Sequence, residues 1–275
     1  AMLSDGLMDF VNKTNYQRFL MIVQSAGFIN NKLISSKNSL NFAYALYLKL
    51  RKDGLAETDI QHYVKRWFVM SLLIGRYSGS AESTIDEDIK QINDKGIEAY
   101  LKLTEQASLG EGFWDFGLVN SLESSSTNNN AYNVYLAVQC YHKAHAFLSK
   151  DMTINSLIEQ RGDIHHLFPR KYLAKHNYTP KQYNQVANFV YTEQATNIKV
   201  GSLAPSEYMH KAIQEIMGGV RNISSLNSQE AMLDNFRQND VPLMLNDGTH
   251  ANYEEFLRRR KGLMAKKIKS YYQSL

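Results

Sequence analysis

The chain has 275 residues, a net charge of +4 and a hydrophobic fraction of 44%, a composition that is typical of folded globular proteins, so disorder is not the default expectation. Its single cysteine, Cys140, excludes a disulfide framework within the chain and any metal site that needs two thiolates. No stretch approaches roughly eighteen uninterrupted apolar residues and the start lacks the pattern of a signal peptide, so we expect a cytoplasmic protein without a membrane segment.

Helical periodicity dominates the first half of the chain. In "SSKNSLNFAYALYLKLRKDG" apolar residues recur at helical spacing, Ser36 can cap the helix and Gly54 can end it. The run from Thr58 to about Tyr77 is nearly all apolar in its second half, which predicts a helix at the centre of the core. "STIDEDIKQINDKG" predicts a further helix with Ser83 or Thr84 as its cap.

A polar interruption separates these helices from the next one. "SLESSSTNNN", residues 121–130, predicts an exposed loop, and "AYNVYLAVQCYHKAHAFLSK" then resumes a helix. That helix would carry His142 and His145 three residues apart, where they could bind a metal. No acidic residue or third histidine is near them in sequence, so a role on the surface or in a substrate groove is favoured. Trp67 and the aromatic residues around it predict core packing without a cofactor.

After Lys150 the predicted elements become short. "GDIHHLFP" predicts a strand, "RKYLAKH" a helical turn, "TPKQYNQVA" a short helix with Pro180 at its first position, and "NFVYT" a second strand. "EQATNIKVGS" predicts a short helix that ends near Gly201, and "APSEYMHKAIQEIMGG" a longer one that Ser206 can cap. Two tiny strands with irregular turns make a poor core, and such a segment usually persists because it holds a site.

Residues 163–207, from "DIHHLFPRKYL" through "ANFVYTEQATNIKVGSLAPSEY", resemble the His-Asn-His (HNH) nucleases. In that family a ββα-metal motif places a metal ligand and a general base at the end of the first strand. His165 matches that ligand and His166 the base. Asn188 matches the middle asparagine, and Asn197 stands where many members have the closing histidine, a His-Asn-Asn variant. By itself an adjacent histidine pair favours a structural or surface role; the matching order and spacing of the other residues favours a nuclease.

The chemistry of phosphodiester cleavage agrees with these roles. It needs a base that takes a proton from water, and positive charge on the phosphate and the leaving oxygen. Adjacent strand residues face opposite ways, so His166 can activate water while His165 and Asn197 bind one Mg²⁺ or Mn²⁺. We expect Asn188 to fix the loop that carries the base through hydrogen bonds to the backbone. Asp163 could orient the His165 ring or approach the ion.

Positive charge is concentrated in the half of the chain that carries the histidine pair. Residues 161–275 hold sixteen Lys and Arg against ten Asp and Glu, and the excess peaks in "FLRRRKGLMAKKIKSYY". Such a stripe predicts contacts with the phosphate backbone of DNA. The residues expected to make these contacts are Lys171, Lys199, Arg258, Arg259, Arg260, Lys266 and Lys267. A solvated helix face is the alternative, as is packing or pairing of Arg260 and Lys261 with acidic helices.

A wider resemblance covers the helical segments and the basic C-terminal run. They are similar to the C-terminal part of GmrSD-type modification-dependent restriction proteins and their phage-defence relatives. There a nucleotide-hydrolysing, ParB-like sensor domain precedes the helical and nuclease regions, so the resemblance implies such an N-terminal domain as a partner. The start Ala1-Met2 would fit a piece of a longer protein. Association into a homo-oligomer stays open.

These observations together predict a mainly α protein in which helical domains enclose a small ββα-metal motif. We expect a helical domain over 1–150, the nuclease motif over 151–220, and over 221–275 a C-terminal helical segment whose basic helix packs on the rest. The expected function is a metal-dependent DNA endonuclease module of a restriction or phage-defence protein. The alternatives are a catalytically inactive nucleic-acid-binding or regulatory module and a zinc-dependent hydrolase.

Overall fold

The computed structural model describes residues 2–160, 162 and 164–275, and these residues are mostly helical. The helices are α1 (Met2–Val11), α2 (Lys13–Ser25), α3 (Lys37–Lys52), α4 (Glu57–Leu73), α5 (Ala81–Lys95), α6 (Ile97–Ser108), α7 (Leu118–Ser121), α8 (Asn130–Tyr141), α9 (Ile154–Glu159), α10 (Arg170–Lys175), α11 (Pro180–Tyr183), α12 (Gln194–Val200), α13 (Pro205–Ile216), α14 (Gln229–Gln238) and α15 (Tyr253–Ser274). Four 3₁₀ turns cover Asn31–Leu33, Val186–Asn188, Leu243–Asp247 and His250–Asn252, and a π-helical turn covers Phe113–Gly117. Two strands, β1 (Ile164–His166) and β2 (Phe189–Tyr191), form one antiparallel sheet.

The predicted helix ends are confirmed for α3 and shifted for α5. The Ser36 hydroxyl accepts the Ser39 amide at 3.1 Å, and Gly54 follows α3 with φ of 80°. α5 begins at Ala81 after Ser80, so the predicted cap at Ser83 or Thr84 is wrong. Their hydroxyls instead donate to the Ser80 carbonyl from within the first turn of α5.

Helix α4 lies at the centre of the core, as predicted. Val64, Trp67 and Val69 are fully buried. Beside it, the buried Asp88 carboxylate of α5 accepts hydrogen bonds from Arg76, from the Tyr77 hydroxyl at 2.8 Å and from the Tyr100 hydroxyl at 2.8 Å. Because a buried carboxylate is costly unless it is paired, this cluster ties α5 and α6 to the end of α4.

Helix α8 ends earlier than its sequence pattern suggests. His142 is the residue that follows α8, and His145 pairs with Thr153 in an isolated antiparallel bridge. The expectation that the two histidines lie on one helix is therefore wrong. The polar loop before α8 is confirmed; Asn129 closes it by capping the helix through the Tyr132 amide at 2.9 Å.

The segment after residue 150 has the predicted short elements. β1, α10, α11, β2, α12 and α13 follow one another in the expected order. Pro205 occupies the first position of α13, and the Glu207 carboxylate accepts the amide of Ala204, which precedes the helix, at 2.8 Å. Ser206 lies inside the helix, so its predicted capping role is wrong.

Buried side chains from all three predicted ranges form one hydrophobic cluster that runs from Phe19 to Tyr272. α15 packs against α7, α8 and the 3₁₀ turn before β2, so the basic C-terminal helix lies directly behind the sheet. The domain boundaries at 150 and 220 stay a prediction. No helix within the described residues combines the length and the apolar character needed to cross a bilayer.

Candidate functional site

The two strands hold the histidine pair in a defined register. His165 lies opposite Val190 and His166 opposite Phe189. After two intervening residues β2 is followed by α12, which is anchored where the Thr196 hydroxyl donates to the Ile223 carbonyl at 3.0 Å. Asn197 is the next residue along α12.

An open groove of about 630 Å³ lies between β1, the start of α10 and α12. His165, His166 and Asn197 all line it. Residues that the sequence resemblance assigned to one site, across about thirty positions of chain, therefore meet on one surface. The remaining lining residues are Ile164, Pro169, Arg170, Lys171, Ile198, Gly201 and Ser202.

The His166 ring is held on three sides. Its Nε2 lies 2.9 Å from the Asn184 side-chain oxygen, and the ring meets Phe189 edge-on with centroids 5.2 Å apart. Tyr183 approaches at 6.3 Å, also edge-on. Burial lowers the pKa of His166 below its ordinary value of 6.5; the Asn184 hydrogen bond opposes this, and the charge of Arg170 adds to it. The imidazole is thus biased towards its neutral form.

Asn188 is fully buried behind His166. Its side-chain oxygen accepts the Phe168 amide at 2.8 Å, and its side-chain nitrogen donates to the carbonyls of Phe168 at 3.1 Å and Tyr183 at 3.0 Å. The Asn188 carbonyl accepts the Leu167 amide at 2.9 Å. These are the backbone hydrogen bonds that we expected of this residue, and they fix the turn that follows β1.

His165 borders a second, smaller groove of about 390 Å³ on its other side. Thr192 and Glu193 line that groove, and the Glu193 carboxylate accepts the Ser149 hydroxyl. Asp163, the expected partner of His165, lies outside the described residues. Within the described part of the chain no group of three or more His, Cys, Asp or Glu side chains is arranged to hold a metal ion.

The predicted phosphate contacts divide into exposed and internal residues. Lys171 is exposed on the groove wall. Lys199 and Lys266 are exposed too, although the Lys199 ammonium donates to the Asn222 carbonyl at 2.5 Å. Arg258 and Arg259 are exposed on α15, and both pair with Glu255 at 2.6 Å.

Arg260 and Lys267 need correction as DNA contacts. Arg260 is only 1% exposed, and its guanidinium donates to the carbonyls of Ala187 at 2.9 Å, Phe189 at 2.7 Å and Asn239 at 3.1 Å. Lys267 pairs with Asp240 at 2.7 Å and donates to the carbonyls of residues 237 and 238. Both cations satisfy internal acceptors, so neither is free to meet phosphate. Packing, the alternative weighed for Arg260, describes it correctly, and Lys261 pairs with Glu123 at 2.8 Å.

Three polar residues that contact His166 or line the groove escaped the sequence reasoning. Asn184 contacts His166 from an irregular turn, and no periodicity or spacing marks it. Arg170 and Ser202 line the groove. Arg170 could have been found, because it directly follows Pro169, at the start of the predicted helical turn, and precedes Lys171.

The chain is similar to an uncharacterized protein of Methanocaldococcus jannaschii, with 24% identity over 216 residues that make up 74% of this chain and 36% of that protein. The chain thus spans about a third of the length of that relative. No family model and no solved structure matches the chain. The resemblance to HNH nucleases therefore stays a prediction from the sequence of residues 163–207.

Proposed function

We propose that the chain is a metal-dependent DNA endonuclease module in which β1, β2 and α12 form a ββα-metal site. The observation that carries the proposal is the meeting of His165, His166 and Asn197 at one open groove. The fully buried Asn188, which pins the turn behind His166, supports it. A two-stranded sheet does not need the side-chain hydrogen bonds that Asn188 makes. A catalytic site does need them, because its base must be held in a fixed position.

The residues at the groove fit a weakly held Mg²⁺ or Mn²⁺ ion. His165 supplies an imidazole and Asn197 a carboxamide oxygen, and both line a groove open enough to leave places for phosphate oxygens and water. When bound, the ion would supply positive charge to the phosphate and to the leaving oxygen. Because the two donors are neutral, we expect the ion to be held weakly before the substrate arrives.

His166 is the general base in this proposal. Burial lowers its pKa, so most of it is neutral and can accept a proton at neutral pH. The ring takes one proton from a water molecule, and the water oxygen forms a new bond to phosphorus. The bond from phosphorus to one sugar oxygen breaks, and that oxygen takes a proton from solvent. A phosphodiester and one water thus become a phosphomonoester and an alcohol.

Arg170 and Lys171 are the groove residues best placed to meet the phosphate backbone. Both are exposed at the start of α10 and line the groove with the base. Contacts with phosphates position a nucleic acid without reading its sequence. We therefore propose a sequence-tolerant nuclease, as part of a restriction or phage-defence protein in which a separate nucleotide-hydrolysing domain senses the target.

A catalytically inactive DNA-binding module is the second candidate. It is favoured by one observation: the described residues contain no cluster of three or more His, Cys, Asp or Glu side chains suited to a metal. Such a module would keep the cationic groove wall and bind DNA without cutting it. Tightly bound zinc in the purified protein would instead point to a zinc-dependent hydrolase.

The test is incubation of supercoiled plasmid with the protein in EDTA, Mg²⁺ or Mn²⁺, followed by counting of nicked and linear products. We expect slow nicking with Mg²⁺ or Mn²⁺ and none in EDTA. His166→Ala is the decisive variant and His210→Ala the matched control, because His210 is exposed on α13 away from the groove lining. Equal cleavage by the two variants would show that His166 is not the general base. DNA binding without cleavage under every condition would favour the inactive module.

A further inference from the structure

Asn184 is the one side chain that contacts a ring nitrogen of His166 among the hydrogen bonds of the described residues. It lies just after α11 and reaches across to β1 from eighteen residues away. We propose that Asn184 is a positioning residue that selects the tautomer of His166 and makes Nδ1 the atom that accepts the proton. Its effect on cleavage rests on the proposed function, whereas its effect on the ring does not.

The hydrogen-bonding roles of the two groups lead to this assignment. The Asn184 oxygen that lies 2.9 Å from Nε2 can only accept, so Nε2 must carry the hydrogen. A neutral imidazole has a single N–H, and its lone pair is then on Nδ1. A fixed N–H at Nε2 therefore leaves Nδ1 as the basic atom.

An asparagine suits this role better than an aspartate would. A carboxylate at the same place would stabilise the imidazolium and raise the pKa of the ring. The neutral carboxamide orients the ring with a smaller effect of that kind, and burial still lowers the pKa of His166. Phe189 and Tyr183 meet the ring edge-on, so two ring contacts and one hydrogen bond together define its orientation.

Asn184 is itself held by its surroundings. Its amide donates to the Pro180 carbonyl at 2.9 Å. The preceding carbonyl, that of Tyr183, accepts the Asn188 side chain at 3.0 Å, and the Tyr253 hydroxyl of α15 donates to the Gln182 carbonyl at 3.0 Å. Asn188 therefore stabilises both the turn after His166 and the turn that carries Asn184. The donor and the acceptor of the His166–Asn184 hydrogen bond are thus positioned by the same residue.

The proton transfer is simple in these terms. Nδ1 gains the proton that the attacking water loses, and Nε2 keeps its own hydrogen and continues to donate it to Asn184. The resulting imidazolium has two N–H groups, and the one at Nε2 keeps its acceptor, the Asn184 oxygen. No rearrangement of the ring is needed before or after the step.

The direct test is ¹⁵N NMR of the full chain labelled at histidine, with the His166 signals assigned by comparison with His166→Ala. In the wild-type protein at high pH we expect the hydrogen of the neutral ring to be on Nε2 and Nδ1 to carry none. Asn184→Ala should give a mixture of the two tautomers, and Gln185→Ala should leave the His166 signals unchanged, because the Gln185 side chain donates to the Lys181 carbonyl instead. A protonated Nδ1 in the unchanged protein, or identical tautomers in Asn184→Ala, would overturn the proposal.

The pH dependence separates positioning from a merely structural role. Asn184→Asp should raise the pKa of His166 and move the acid limb of the pH–rate profile to higher pH, with restored activity above that limb. Asn184→Ala should lower kcat by about 10- to 100-fold, as loss of an orienting partner typically does, with little change in KM. If Asn184→Asp and Asn184→Ala both fold and both lose the same fraction of kcat at every pH, the proposal is overturned. The NMR result needs no catalysis, so the predicted tautomers in a protein that cuts no DNA would refute the proposed function alone.

Discussion

The groove wall and helix α15 are both basic, but they differ in what their cations contact. Arg170 and Lys171 are exposed and line the groove with His166, and no ion pair joins them to any carboxylate that the structure describes. On α15, in contrast, Arg258 and Arg259 share Glu255, and Arg260 is buried against backbone carbonyls. The sequence is far more basic along α15, yet the groove wall has the cations that are ready for a new partner.

The difference shows that a run of like charges in a sequence does not measure the charge that is available for binding. Within a helix each successive residue faces a new direction, so a run such as "RRRK" distributes its members between solvent and core. Arg260 falls on the buried face and stabilises the sheet from behind. A lysine–arginine pair at the start of a short helix, which attracts less notice in the sequence, remains open to solvent.

Removal of the His166 imidazole, the proposed base, should give the largest effect. His166→Ala should lower cleavage by on the order of 10²- to 10⁴-fold, which is typical for loss of a general base. DNA affinity should stay close to that of the unchanged protein, because the imidazole carries little of the phosphate binding. Single-turnover cleavage and a binding titration on the same preparation measure both quantities. Unchanged cleavage would remove His166 from the site.

Loss of Arg260 should be the largest effect on stability. Arg260→Met leaves the carbonyls of Ala187, Phe189 and Asn239 without their donor, which should cost about 3–5 kcal/mol of unfolding free energy. Urea unfolding measures this, and Arg258→Met is the exposed control, for which no measurable change is expected. A stable Arg260→Met protein with weakened DNA binding would return Arg260 to the DNA surface.

Reversal of charge at the groove should weaken binding to all DNA sequences alike. Lys171→Glu should lower affinity and reduce the slope of log K against log salt by about 0.9 for each phosphate that the protein no longer neutralises. Binding measured at several salt concentrations gives the slope. An unchanged slope would show that Lys171 does not contact phosphate. The groove wall would then be no better a phosphate-binding surface than α15.

The acid limb of the pH–rate profile should lie below the ordinary histidine pKa of 6.5. Burial first, and then Arg170, lower the pKa of His166, so the neutral base persists to lower pH and activity is lost only as the pH falls through that lowered value. Arg170→Ala should move the limb upward, because it removes a positive charge that disfavours the imidazolium. The measurement is kcat/KM across pH, and a limb above 6.5 would contradict the predicted environment.

Reversal of the exposed charges on α15 should have the smallest effect. Arg258 and Arg259 both bond to one Glu255 carboxylate, so the three residues together present a single net positive charge. Arg258→Glu should therefore change the salt slope less than Lys171→Glu does. A larger change at Arg258 than at Lys171 would make α15 the principal DNA-binding surface, as its sequence suggests.

Local sequence was sufficient where short-range chemistry decides the structure. Ser36 and Gly54 bound α3, and the strands around His165 and His166 and around Phe189 form where the short apolar runs predicted them. Local sequence did not identify the start of a helix where several neighbouring residues are good caps. Ser83 and Thr84 are good capping residues, but α5 begins before both of them, at Ala81, and their hydroxyls donate to the Ser80 carbonyl instead.

By itself the sequence determined the mainly helical class, the order of the short elements and the residue types of the candidate site, because periodicity, caps and spacing act over a few residues. Only the tertiary structure decided that Asn184 meets His166, that Asn188 anchors both of their turns, and that Arg260 lies beneath the sheet. The hydrogen bonds of Asn184 and Arg260 join residues that are 18 and 73 positions apart in the chain. They form because a turn after α11 brings Asn184 to β1, and because Arg260 lies on the buried face of α15. No local pattern encodes them, since the position of each group depends on how the whole core packs.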